Sequence, residues 1–132
     1  MTDYLIDTNI ISELSRGHHD KGITMWASSI SHCFISVVTV EEIFYGLSWK
    51  PNTRVREWVE EFIDNYTDVL PVTAGIACRA GQLRGRFQAR GITRTQADLF
   101  IAATAAEHNL TLVTRNVRDF TECGIEVLNP FE

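Results

Sequence analysis

Apolar positions along this chain fall into two alternating rhythms. Short β-branched, aliphatic or aromatic runs at residues 4–6, 33–38, 69–72, 110–114 and 125–128 read as strands. Between them the apolar residues recur every three or four positions, the spacing of one helix face. Ile10, Ile11 and Leu14 mark a short helix that Gly17 stops, and residues 23–30 a second with Met25, Trp26 and Ile30 inward. Val40, Ile43, Phe44 and Leu47 give a helix from Thr39, and residues 54–66 carry the stripe Val55, Trp58, Val59, Phe62, Ile63 and Tyr66. Residues 73–89 place Ile76, Ala77, Ala80, Leu83 and Phe87 inward. Ala77, Gly81 and Gly85 form a line of small residues there, read as packing against the sheet in preference to a dimer seam. Pro71 hints that the third strand is an edge.

From Thr95 onward the pattern changes. Ala97, Leu99, Phe100, Ile101, Ala102, Ala103, Ala105 and Ala106 make a helix apolar almost all the way round, which belongs against a core. Strands alternating with helices predict an α/β fold with a mainly parallel central sheet and helices on both faces. The 132 residues show no repeat, linker or low-complexity tract, so residues 1–132 read as one domain.

Composition adds exclusions. The chain is 45% hydrophobic and 22% charged, an ordinary globular balance. No apolar run approaches the ~20 residues of a membrane span, and no basic-then-apolar leader opens the chain, so a cytoplasmic protein is expected. Cys33, Cys78 and Cys123 are odd in number and widely spaced, which argues for reduced packing residues and against a disulfide framework or zinc site. The formal charge of −5 is unevenly spread. Residues 69–97 carry Arg79, Arg84, Arg86, Arg90 and Arg94 and no acid. Arginine suits phosphate, although taken alone a solvated helix face is the simpler account of the run.

The candidate chemistry lies in the acids. In open α/β sheets the site sits beyond the carboxyl ends of the strands. Asp7 ends the first strand, Glu42 lies early in the helix after the second, Asp98 opens the apolar helix, and Asn116 and Asp119 follow the strand ending at Thr114. Taken singly, most have a simpler role. Thr39–Glu42 fits a capping box, and Thr95–Asp98 and Asn116–Asp119 have related spacing. Asp7 and Asp98 resist that explanation, because each stands among apolar residues that would bury it. Carboxylates gathered at one sheet edge need protons or a cation, and an all-oxygen set selects Mg²⁺ or Mn²⁺ over zinc. Such an ion can activate water for an in-line displacement at phosphorus. Thr8, Asn9, Thr114 and Asn116 are placed to orient the acids or their waters.

LIDTN at 5–9, ISVVTVEEIFYG at 35–46, ADLFIAATAAEHNLTLVTRN at 97–116 and the following VRDF resemble the PIN-domain ribonucleases. More narrowly, they resemble the VapC toxins of bacterial toxin–antitoxin pairs, including the FitB-like branch. The resemblance runs through nearly the whole chain in order. It implies a PIN-like three-layer α/β/α sandwich and a Mg²⁺- or Mn²⁺-dependent endoribonuclease leaving 5′-phosphate and 3′-hydroxyl ends. Asp7, Glu42 and Asp98 match the three acids that hold the metal. The place of a fourth acid is taken by Asn116, with Asp119 three residues on; Glu41 matches no family acid and is expected to face solvent. The resemblance also implies a homodimer and a VapB-like antitoxin partner. RNA as substrate gives the arginine run new weight, with Arg84, Arg86, Arg90 and Arg94 as candidate contacts.

Three rival readings compete with this one. A haloacid-dehalogenase-like phosphatase needs a second Asp two residues after the first, where this chain has Asn9, and a late lysine, whereas Lys50 is the last. Histidine, serine and phosphate-loop chemistry finds no HExxH, GxSxG or Gly-rich loop. A non-catalytic PIN-like module that binds RNA or protein remains as the alternative; retention of all three core acids argues against it.

Overall fold

The computed structural model describes residues 2–132. Five strands form one parallel sheet: β1 (Tyr4–Ile6), β2 (Cys33–Ser36), β3 (Thr67–Leu70), β4 (Thr111–Val113) and β5 (Val127–Leu128). Their order is β3-β2-β1-β4-β5, so the chain builds outward from β1 in one direction and then returns to build outward in the other. Parallel strands need crossovers, and the helices supply them: α1 (Thr8–Leu14), α2 (Lys21–Ser28), α3 (Val37–Trp49), α4 (Thr53–Tyr66), α5 (Ala74–Ala89) and α6 (Gln96–Glu107). A 3₁₀ turn, Val117–Phe120, lies between β4 and β5.

Period-two alternation along the strands divides the core into two layers. Leu5 and Leu112 face α5 and α6, joining Ile76, Leu83, Phe87, Leu99 and Phe120. Ile6, Cys33, Ile35 and Val113 face the other way, packing with Ile10, Ile11, Ile23, Ile43, Leu47 and Val59 from α1 to α4. This is the expected three-layer α/β/α sandwich. No helix among the described residues is long and apolar enough to cross a membrane.

Several local expectations are corrected. The second strand stops at Ser36, whose side chain accepts a hydrogen bond from the Val38 amide and starts α3 two residues before Thr39. The β-branched pair Val37-Val38 suggested strand, but a serine cap outweighed that preference. The Thr39–Glu42 capping box therefore does not form. Thr39 is fully buried inside α3 with its hydroxyl unpartnered. On α2 Ile23 is buried and Trp26 packs on the core with Ile30 just beyond the helix, as expected of the last two, while Met25 is 64% exposed. Ala77, Gly81 and Gly85 face outward from α5, and a methyl group at either glycine would meet nothing within 4 Å. The small-residue line is thus surface. Cys33 and Cys123 are buried, as packing residues should be, whereas Cys78 is exposed.

Candidate active site

Strand order reverses between β1 and β4, and a crevice opens where these two strands leave the sheet. Its volume is about 420 Å³, and its walls include Asp7, Thr8, Asn9, Glu42, Asp98 and Asn116. Three acids separated by as many as 91 positions in sequence thus share one cleft.

Asp7 is the innermost, 6% exposed. Burial raises its pKa above the ordinary carboxylate value, and three hydrogen bonds oppose that shift. The Thr8 amide donates to Oδ1 at 2.8 Å, and the Thr114 hydroxyl and Asn9 Nδ2 donate to Oδ2 at 2.8 and 3.2 Å. Thr114 is itself completely buried. Its oxygen also accepts from the Asn116 amide at 3.0 Å and from Asn9 Nδ2 at 3.3 Å. Asn9 Oδ1 accepts from the Arg115 amide at 3.0 Å. The turn after β4 is therefore stitched to the turn after β1, and the orientation of Asp7 is fixed from behind.

Glu42 stands one turn deeper in α3 than the sequence suggested, because the helix begins at Val37. It makes no cap; Oε1 accepts the Thr8 hydroxyl at 2.7 Å. Asp98 is at the third position of α6, where its amide donates to the Thr95 hydroxyl that caps the helix at 3.1 Å. Burial pushes its carboxyl up to about 6, reinforced by the negative charges of Asp7, Asp119 and Glu42 and opposed by the Thr95 bond. Asp119 is exposed on the 3₁₀ turn, outside the cleft walls, yet close enough to repel both Asp7 and Asp98. Asn116 lines the cleft. Glu41 faces solvent, as expected.

No lysine or arginine makes an ion pair with Asp7, Glu42 or Asp98 among the described residues. Nor do three acids close around a single point as they stand. The donor set nonetheless fits a hard cation: oxygens only, mutually repelling, two of them disfavoured as anions by burial and uncompensated by protein charge. Mg²⁺ keeps several waters and takes only one or two carboxylates directly, so it suits acids that line a cleft without enclosing it.

The arginine run divides. Arg90 pairs with Glu122 at 3.1 and 3.3 Å. Arg94 lies 4.4 Å over the Phe87 ring and donates to the Asp119 and Thr121 carbonyls at 2.7 and 3.1 Å. Both hold the segment after β4 against the body of the fold, a structural task beside the RNA contact expected of them. Arg79 pairs with Glu107 at 3.6 Å. Arg84 and Arg86 are exposed on α5 and make no ion pair among the described residues. Sequence reasoning missed two cations on the cleft wall itself, Arg16 and Arg115, and the ring of Phe131 beside them. Arg115 stands inside the TRN block; Phe131 lies beyond the last strand, where no pattern marks it.

Comparison with known proteins agrees with this geometry. A family model described as PIN domain matches residues 4–124. The chain is 31% identical to "VapC ribonuclease Y4jK" of Sinorhizobium fredii, covering 97% of each chain. It is 30% identical to "Toxin FitB" of Neisseria gonorrhoeae over 96% of this chain and 97% of the relative. Among solved structures, FitAcB from Neisseria gonorrhoeae superposes with a TM-score of 0.80 at 28% identity, covering 96% and 97% of the two chains. DNA-bound VapBC from Salmonella typhimurium gives 0.80 at 27%, covering 98% and 99%. The chain belongs to the PIN-domain family and, within it, to the group that holds the VapC-type toxins and FitB.

Proposed function

We propose that the protein is a Mg²⁺- or Mn²⁺-dependent endoribonuclease, acting as the toxin of a VapBC-type toxin–antitoxin module. The observation that carries this reading is the convergence of Asp7, Glu42 and Asp98 on one cleft with no lysine or arginine in ion-pair range of any of the three among the described residues. Relatives named VapC ribonuclease and tRNA(fMet)-specific endonuclease VapC supply the substrate class. Asp7, Glu42 and Asp98 would hold the ion. When bound, it supplies Lewis-acid activation of water and neutralisation of charge developing at phosphorus.

The chain's own groups then have distinct tasks. Thr114, Asn9 and the Thr8 amide fix the Asp7 carboxylate, and Thr8 Oγ1 fixes one oxygen of Glu42. Asp98, its carboxyl pushed up to about 6 by burial and neighbouring acids, is an acid whose ionisation a bound cation would favour. Asn116 stands on the wall and Asp119 beyond it; Asp119 adds negative potential, and Asn116 is placed to hold a water or phosphate oxygen. A solved relative titled as a toxin–antitoxin complex, from Klebsiella pneumoniae, supports an antitoxin partner of the VapB kind, and a homodimer belongs to the same reading.

Substitution tests the assignment. Asp7→Asn and Asp98→Asn should each abolish RNA cleavage while leaving a folded protein, and Glu41→Gln should cleave at the wild-type rate. Wild-type cleavage by either aspartate variant would remove the mechanism. A folded wild-type protein that binds RNA but never cuts it would favour the non-catalytic module.

A further inference from the structure

Beyond its acids, the cleft carries a structure that none of the site assignments uses. Segment 129–132 folds back across the start of α2. The Phe131 amide donates to Asn129 Oδ1 at 3.0 Å, and the Glu132 amide donates to Asp20 Oδ2 at 3.0 Å. That same Asp20 oxygen caps α2 through the Ile23 amide at 3.1 Å. Glycine at position 22 is what permits the approach. A methyl group there would overlap the Pro130 carbonyl oxygen and lie 2.9 Å from the Glu132 nitrogen. The Glu132 end is thereby tied to the start of α2, the Thr114 amide holds the Leu128 carbonyl just before the segment, and the Phe131 ring stands at the cleft wall.

On that ring sits Arg115, its guanidinium carbon 4.5 Å from the centroid. The Arg115 backbone is anchored separately by Asn9, the residue that also orients Asp7. Two arginines line the cleft, and they differ. Arg16 lies 3.5 Å from Glu13. Arg115 has no carboxylate in ion-pair range among the described residues, so its donors stay available while its flat face is held by the aromatic ring.

We infer that segment 129–132 is a strap that holds Arg115 over the acid cleft, and that Arg115 so held binds a phosphate of the RNA strand. Phe131 is a positioning residue, acting only through Arg115, and Gly22 is the opening that lets the strap close. The inference rests on RNA being the substrate. It accounts for a cation beside an acidic cleft that would otherwise repel the polyanion, and for an aromatic ring that packs on the edge of the core while keeping one face for Arg115.

The test is RNA binding, measured separately from cleavage. Fluorescent single-stranded RNA is titrated with full-length protein in the Asp98→Asn background, across a series of salt concentrations, with melting curves alongside. Arg115→Gln should weaken binding about tenfold and lower the salt slope by about 0.7, the value for one lost phosphate contact on a single strand. Phe131→Ala should shift affinity in the same direction, Phe131→Trp should restore it, and Gly22→Ala, at the far side of the strap, should reproduce Phe131→Ala. The Arg115→Gln melting temperature should stay near that of its parent. Unchanged affinity and slope in Arg115→Gln would overturn the phosphate role, while metal-dependent cleavage by the wild type would stand untouched. Loss in Arg115→Gln with none in Phe131→Ala and Gly22→Ala would overturn the strap.

Discussion

At the scale of single residues, the site is defined by carboxylates that folding makes uncomfortable. Asp98 binds its proton more tightly in the folded chain, with its carboxyl near 6, than at the ordinary value of 3.8. Its ionised form therefore costs stability, fully above about pH 6, and the cost is relieved as pH falls from 6 towards 4. Asp7 acts in the same direction. Asp20 acts oppositely: hydrogen bonds led by the Glu132 amide lower its pKa, so its contribution is lost only in stronger acid. In chelator, the melting temperature should thus be higher at pH 5 than at pH 7.5. Asp98→Asn should raise it at pH 7.5 and flatten the rise. Millimolar Mg²⁺ should stabilise the wild type at pH 7.5 and leave Asp98→Asn unmoved; identical pH profiles for the two proteins would contradict the account. Thr114→Val is a different kind of change. It leaves the buried Asp7 oxygen without its best donor, and denaturant unfolding should show a loss of about 1–3 kcal/mol.

At the scale of elements, what was legible depended on whether local signals agreed. The apolar helix of Leu99, Ile101 and Ala103 and the stripe of Val55, Val59 and Phe62 announced themselves, because burial and helical period coincide there. The start of α3 is where local signals conflict: Val37 and Val38 prefer strand while Ser36 caps a helix, and the cap places Glu42 in the second turn instead of the first. Asp7 and Asp98 are legible in the sequence as candidate cleft residues, since a carboxylate beside an apolar run demands explanation. Arg115 and Phe131 are not, since only tertiary packing brings position 131 beside position 115. Two element-level outcomes follow. Ser36→Ala should cost about 1 kcal/mol in denaturant unfolding, the value of a helix cap. Gly81→Ala should stabilise the isolated chain by up to about 1 kcal/mol, since the added methyl meets only open space and helix interiors favour alanine. A loss of stability there would mean that a second chain already packs on α5.

At the scale of the whole molecule, charge is sorted by role. Residues 1–68 hold five basic and eleven acidic side chains, and residues 69–132 hold seven and six. The net of −5 would repel RNA if spread evenly, yet the positive groups are concentrated where the fold gives them separate work. Arg90 and Arg94 brace the segment that carries Asp119 and Glu122, while Arg84 and Arg86 stay exposed on α5. Arg94→Ala should therefore destabilise the protein by about 1–3 kcal/mol, the loss of charge-assisted hydrogen bonds, as read by thermal or denaturant unfolding. Arg84→Gln with Arg86→Gln should leave stability within about 0.5 kcal/mol and lower RNA affinity in a salt-dependent way.

Metal-dependent RNA cleavage at a cleft of three acids is the central proposal. Its most direct test is incubation of total cellular RNA with purified, antitoxin-free protein in Mg²⁺ or Mn²⁺ and in chelator, beside Asp98→Asn. The account predicts discrete fragments with 5′-phosphate ends that require both the ion and Asp98. Equal cleavage in chelator, or by Asp98→Asn, would contradict it.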